Sequence, residues 1–407
     1  MDTIELFKEL AKIPSPSLGE YNVSQKIMEY TYNNGINAYY DDYQNLIINI
    51  PKNDDSKKPL LLSAHLDVVG NSSKVNIIEE DGFLKTDGER TLGSDDKAGV
   101  AIALNLAIYL AKHKEIKHGG LEIVFTRDEE TNMTGINHVD FSSLESENVL
   151  VLDSDALGNF EIAGAGYTKL DVEVTTKLGG HSGNDIQDKK RYNAALLIAQ
   201  LVSKLPNGVY KKEQGFTITS CNLGSIVAGA TDIGLERLIE KEEKKEEIEK
   251  PYSKTLVSLC ADNVINTKAY AHYSLRSSNK KYEEELIKKF QKKIDKFNAK
   301  YKDLANAKLE AKIHMLPFEK SPNQTMAQIA KKAGQNTDVK VKVQSFHAGA
   351  ETHVYANKTN KFNQKFKPVL VGVANIYSMH SPNEKVEIES MKKGFEFIKE
   401  IFLEYNK

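Results

Sequence analysis

From Leu46 onward, short apolar runs alternate with longer stretches at helical spacing. Residues 46–50 and 60–64 read as strands, bounded by polar and turn-forming residues. Residues 96–111 follow as a helix that is apolar on most faces, the pattern of a helix enclosed on most sides. Residues 121–126 and 149–152 supply two more strands. Strands alternating with helices predict an α/β fold, a mostly parallel sheet flanked by helices. The far end repeats the pattern, with strands over 339–343 and 369–373. A helix over 384–405 then carries Met391, Phe395, Ile398 and Phe402 along one stripe.

The middle of the chain has a different period. Residues 168–175, 216–223 and 268–275 alternate apolar and polar positions, as half-buried antiparallel strands do. Two helices intervene: one over 193–205, and one marked by Ile287, Phe290, Ile294, Phe297 and Tyr301. The expectation is an α+β domain over residues 167–316, inserted into a discontinuous α/β domain formed by residues 1–166 and 317–407.

Composition narrows the function classes. Lys and Arg total 55 against 57 Asp and Glu, a formal charge of -2, so nothing in the balance calls for nucleic acid or an anionic membrane as partner. The first twenty residues read as an amphipathic helix stopped by Pro14 and Pro16, not as a signal peptide. No apolar run is long enough to span a bilayer, so the cytoplasm is the expected location. Cys221 and Cys260 have no zinc-finger spacing and read as buried thiols. The lysine and glutamate run over 239–250 reads as a solvated helix.

The chemistry gathers at strand ends. The strand over 60–64 runs into His65-Leu66-Asp67, and in open α/β sheets ligands sit at the carboxyl ends of strands. Residues i and i+2 of an extended chain point the same way. Asp67 can therefore accept a hydrogen bond from one His65 nitrogen while the other faces a metal. Asp95 and Asp96 open the buried helix, where either could also serve as an N-cap. The strand over 121–126 ends in Arg127-Asp128-Glu129-Glu130, and the strand over 149–152 ends in Asp153-Ser154-Asp155. Carboxylates crowded at neighbouring strand ends repel one another unless a cation sits among them. A pair of ions needs a bridging carboxylate and a second histidine, and His380 stands in another strand-end loop.

In order along the chain, IPSPSLGE, SAHLDVVG, TLGSDDKAGVAIAL, FTRDEETNMTGI, VLDSD, GGHSG and MHSPNEKVEIESM resemble the co-catalytic zinc peptidases. That family includes peptidase T, the Xaa-His dipeptidases, carboxypeptidase G and the succinyl-diaminopimelate desuccinylases. The resemblance implies His65, Asp95, Glu130, Asp153 and His380 as ligands of two divalent ions, with Asp95 shared. Zn²⁺ is the expected metal, and Co²⁺ or Mn²⁺ suits the same donors. It implies Glu129 as general base and Asp67 as the partner of His65. In the insert it implies His181 as oxyanion stabiliser and Asn263 and Arg276 as substrate-binding residues, with a homodimer formed through that domain. Peptidase T has an arginine-glycine-glycine segment where this chain has His347-Ala348-Gly349-Ala350-Glu351, which is similar to the Xaa-His dipeptidases. Imidazole does not replace a bidentate guanidinium, so His347 and Glu351 become candidates for substrate contact. The expected activity is metal-dependent hydrolysis of di- or tripeptides; deacylation of N-acyl amino acids is the alternative. A nucleotide-binding reading fails because Gly164-Ala165-Gly166 is followed by Lys169 where a third glycine belongs.

Overall fold

The computed structural model describes residues 2–213, 215–229 and 262–407. Cys260 and the charged run over 239–250 lie outside them. The chain divides into two compact units, Met1–Gly164 with Phe318–Lys407, and Ala165–Pro317.

The first unit opens with α1 (Thr3–Ala11), α2 (Tyr21–Asn33), β1 (Asn37–Tyr40), β2 (Leu46–Ile50), β3 (Leu60–His65), β4 (Ile77–Glu80) and β5 (Phe83–Thr86). It continues with α3 (Ser94–Lys112), β6 (Leu121–Thr126), α4 (Glu129–Asn132), α5 (Thr134–His138), β7 (Asn148–Ser154) and β8 (Asn159–Gly164). The second unit contains β9 (Gly166–Thr176), β10 (Gly180–His181), α6 (Ala194–Val202), β11 (Gly208–Glu213) and β12 (Phe216–Ala228). It closes with β13 (Val264–Ile265), β14 (Lys268–Ser277), α7 (Lys280–Lys300) and β15 (Ala305–Met315). The chain then returns to the first unit with α8 (Thr325–Thr337), β16 (Lys342–Phe346), α9 (Thr352–Ala356) and β17 (Lys367–Gly372). It ends with β18 (Ile376–Tyr377), β19 (Lys385–Glu387) and α10 (Ile388–Tyr405).

The main sheet of the first unit runs β1-β2-β6-β3-β7-β17-β8-β16. Its centre is parallel: β3 pairs with β6 and β7, and β7 pairs with β17, all in the same direction. Alternate residues of each central strand enter two different cores, as a sheet covered on both faces requires. Leu60, Leu62 and Ala64 pack with α1, α3 and α10, whereas Leu61 packs with Ile136, Phe141 and Tyr355 on the other side. The predicted α/β class with a mostly parallel sheet is therefore the observed one. The second unit is an antiparallel sheet, β11-β12-β14-β9-β15, with one face covered by α6 and α7. Cys221 is buried there. Among the described residues no helix is long and apolar enough to cross a membrane.

Several element ends differ from the sequence reading, and at three of them a remote partner decides the outcome. The strand expected over 339–343 begins at Lys342, where pairing with β8 starts. The last helix begins at Ile388 rather than 384, because Lys385–Glu387 pairs antiparallel with β5. Leu152 does not end β7, which continues through Asp153 to Ser154.

Helix α10 packs on the sheet through Gly394. A Cβ at that position would overlap the carbonyl oxygen of Val373, the residue after β17. Gly394→Ala is therefore expected to lower the thermal midpoint through an overpacking cost of about 2–3 kcal/mol. A wild-type melting curve would show that the helix can withdraw without loss.

Candidate active site

The carboxyl ends of β3, β6 and β7 lie side by side, with His65 in register with Thr126. His65 ends β3 and is almost fully buried. Its Nδ1 donates to the Asp67 backbone carbonyl at 2.9 Å, which leaves Nε2 facing 3.2 Å from Asp95 Oδ1 and 3.6 Å from Asp153 Oδ1. The sequence reading gave the Asp67 carboxylate that bond; it stands further off, at 3.4 Å. The Asp67 carboxylate is engaged elsewhere.

Those engagements connect two loops. Asp67 Oδ1 accepts the Glu129 N–H at 3.0 Å, and Oδ2 accepts the Glu130 N–H at 3.1 Å and the Ser17 hydroxyl at 2.7 Å. Burial opposes ionisation of Asp67, but contact with His65 and these donors outweigh it and hold its carboxyl at about 2.

His380 enters from the loop after β18, with Nε2 2.9 Å from Asp95 Oδ2 and 3.1 Å from Glu130 Oε2. The two oxygens of Asp95 thus face two different imidazoles. Two groups of donors result, sharing Asp95: His65 with Asp153, and His380 with Glu130. Glu130 Oε1 and Asp96 Oδ2 are buried without a hydrogen-bond partner, which leaves both able to ligate a cation. Nitrogen and carboxylate donors at these separations fit a pair of divalent ions.

Proton affinities point the same way. Burial, reinforced by the Asp95 charge, pushes Asp153 up to about 7. Burial also pushes Glu130 up to about 7, and Glu129 well above the usual carboxylate range with help from the Asp153 and Glu351 charges. Asp95 is held low: burial opposes this, but the hydrogen bonds with His380 and His65 prevail.

Several residues of the site escaped the sequence reading. Asp96, read as a possible cap, does bond the Gly99 N–H at 3.1 Å, yet it also groups with His65 and Asp153 as a potential ligand set. The Asp-Asp doublet was its signal. Glu384 is buried and accepts the Ser94 N–H at 2.6 Å, with the Ser94 and Thr91 hydroxyls also bonded to it. It thereby ties the His380 loop to the turn that carries Asp95. Lys97 is buried in α3 and donates to the Ile13 carbonyl at 2.7 Å; burial and the Arg90 charge pull its ammonium down to about 7.

The remaining candidates fall in two places. Glu351 lies in the first unit with its side chain enclosed rather than facing solvent. Its Oε2 accepts the Ser63 hydroxyl at 3.1 Å. His347, also in the first unit, is half-buried. The second unit holds His181, exposed, with Nδ1 accepting the Gly183 N–H at 3.1 Å. Asn263 sits beside it and accepts the Ser182 N–H through its carbonyl at 2.8 Å. Arg276 lies 4.7 Å from the centre of the Tyr167 ring, with one guanidinium nitrogen buried and unbonded.

The sequence model of peptidase family M20/M25/M40 matches residues 61–404, from β3 through most of α10. The chain belongs to this family. It is accordingly a metallopeptidase, a hydrolase of the M20 type. An uncharacterized Bacillus subtilis protein, YqjE, is 24% identical over 409 residues, covering 97% of this chain and 96% of that protein. Peptidase T of Clostridium perfringens strain SM101 is 36% identical over 135 residues, 33% of this chain and 32% of the relative, so that match spans about a third of its length. The crystal structure of aminopeptidase PepT from Bacillus cereus superposes with a TM-score of 0.80 at 20% identity, over 99% of this chain and 98% of that one. This last likeness carries the fold.

Metal uptake by this M20 protein should depend on pH. Glu130 and Asp153 hold protons up to about 7, and His380, bonded to Asp95, up to about 9. A cation displaces these protons, so binding strengthens as pH rises and weakens as pH falls through that range. Zn²⁺ titrations against a competing chelator should show affinity rising about tenfold or more per pH unit near neutrality. A flat profile from about pH 6 to 9 would contradict the donor assignment.

Proposed function

We propose that the protein hydrolyses the peptide bond of short peptides, di- or tripeptides, with two divalent ions held by His65, Asp95, Glu130, Asp153 and His380. The observation that carries this reading is the sharing of Asp95 between two imidazole-carboxylate groups, with Glu129 beside them. When bound, the ions polarise the scissile carbonyl and acidify the attacking water.

In this reading Glu129 takes a proton from that water as its oxygen attacks the carbonyl carbon, then gives the proton to the departing amine nitrogen. The C–N bond breaks, leaving a carboxylate and an amine. Glu129 suits the task because its own carboxylate is drawn by burial toward holding a proton, while its backbone is fixed by Asp67. Asp67 orients His65 and the two glutamates and does not touch the substrate. From the second unit the resemblance supplies His181 for the oxyanion and Asn263 and Arg276 for the substrate. The unbonded Arg276 nitrogen is a ready donor for a carboxylate. His347 is assigned to substrate contact, and the homodimer through residues 167–316 belongs to the same proposal.

Glu129→Ala should lower kcat on the best substrate of a di- and tripeptide panel by at least about a hundredfold. The variant should retain two metals per chain by elemental analysis. Cleavage of N-acyl amino acids with no cleavage of any free peptide would replace this reading with the deacylase one. Removing the carboxylate of Asp67 by Asp67→Ala should weaken metal binding about 10- to 100-fold, which the same chelator competition measures.

A further inference from the structure

The IPSPSLGE segment, residues 13–20, precedes the span matched by the family model and has no part in the reaction as described. It is nevertheless bonded to both loops that carry the catalytic groups. The Ser15 hydroxyl donates to the Leu66 carbonyl at 2.7 Å, and the Val68 N–H donates to the Ser15 carbonyl at 2.9 Å. The Ser17 hydroxyl donates to Asp67. At the end of the segment Glu20 is 1% exposed. Its Oε1 accepts the N–H groups of Leu18 at 2.7 Å and Asp128 at 3.1 Å, and its Oε2 accepts Arg127 Nε at 3.0 Å.

Arg127 and Asp128 directly precede Glu129. Asp128 is left-handed, with φ 53° and ψ 40°, a conformation that costs an L-residue about 1 kcal/mol or more. That turn brings the Glu129 and Glu130 N–H groups onto Asp67. Asp128 is itself buried, so without Glu20 its N–H would be left unsatisfied. The backbone would then relax toward an ordinary conformation and swing the Glu129 carboxylate with it.

We propose that Glu20 is a positioning residue, which holds the Arg127-Asp128 turn and so sets the direction of Glu129, with Ser17 securing the same geometry from the Asp67 side. The inference rests on the reading of Glu129 as general base. It gives the opening motif a kinetic role rather than a purely structural one.

A matched control exists in β6, the strand that leads into the Arg127-Asp128 turn. Glu122, near the start of β6, is also buried and also accepts two main-chain N–H groups, those of Glu145 at 2.9 Å and Ser146 at 2.8 Å. It braces a loop at the opposite end of β6 from Glu129.

The experiment compares Glu20→Ala, Glu20→Gln and Glu122→Gln in the metal-loaded protein. It reads kcat, KM, metal content, thermal midpoint and amide hydrogen exchange over residues 127–131. Glu20→Ala should lose about a hundredfold in kcat, the scale of a small misplacement of a reacting group. Its KM should stay within about twofold, with both metals retained and exchange over 127–131 accelerated. Glu20→Gln keeps an oxygen for Asp128, so a smaller loss of about tenfold is expected. Glu122→Gln should lower the midpoint while leaving kcat at the wild-type value. Wild-type kcat in Glu20→Gln and Glu20→Ala, or losses that track the midpoint equally in the Glu20 and Glu122 variants, would overturn the proposal. If Glu20→Ala fails to fold, Glu20→Gln decides alone: wild-type kcat sinks the positioning role. A wild-type rate in Glu129→Ala would instead sink the general-base reading itself.

Discussion

Three donors converge on the Asp67 carboxylate, and the rest of the site hangs from that convergence. Two main-chain N–H groups and a serine hydroxyl surround its oxygens, while the His65 ring is held by the main-chain carbonyl of the same residue. Only a group that accepts at both oxygens and donates at neither can satisfy such neighbours. The residue is fully buried, so any mismatch would be paid at low-dielectric rates. Because the donors come from the N-terminal segment and from the start of α4, while the acceptor follows β3, this one carboxylate sets the spacing between the three chain segments.

The same device recurs around the site. Glu20 and Glu384 are buried acids that bind main-chain N–H groups, Glu20 with the Arg127 guanidinium as well, one behind Glu129 and one behind Asp95. Inside this ring of braces stand the carboxylates that face the two imidazoles. The site therefore sorts its acids by what they face. Those aimed at backbone are satisfied by the fold; of those aimed inward, burial pushes Glu129, Glu130 and Asp153 toward holding protons, while two imidazoles keep Asp95 ionised.

The catalytic half of this arrangement was readable because strand ends are marked by abrupt change. An apolar run that stops at His65, or at Arg127-Asp128-Glu129-Glu130, announces both the strand and its functional end. The two-faced burial of β3 follows from the same run. The braces were not readable. Glu20 meets Asp128 across 108 positions and Glu384 meets Ser94 across 290, and no local pattern distinguishes a glutamate with such a partner from a surface one. The start of α10 was misplaced for a related reason, since Lys385–Glu387 obeys a strand partner far up the chain. Asp96 shows the remaining ambiguity: capping and ligation ask for the same residue at the same place, and here one oxygen does the first while the other stays open.

The order of the strands has a consequence for the chain as it is made. His380 meets Asp95 across 285 positions, and β17, which leads toward it, pairs with β7 only after the whole second unit has been synthesised. Until residues beyond Phe318 leave the ribosome, the nascent chain can assemble the His65 half of the centre but not the half that contains His380. An emerging polypeptide of this design holds only part of the candidate centre until β17 has joined the main sheet and the loop after β18 has followed it.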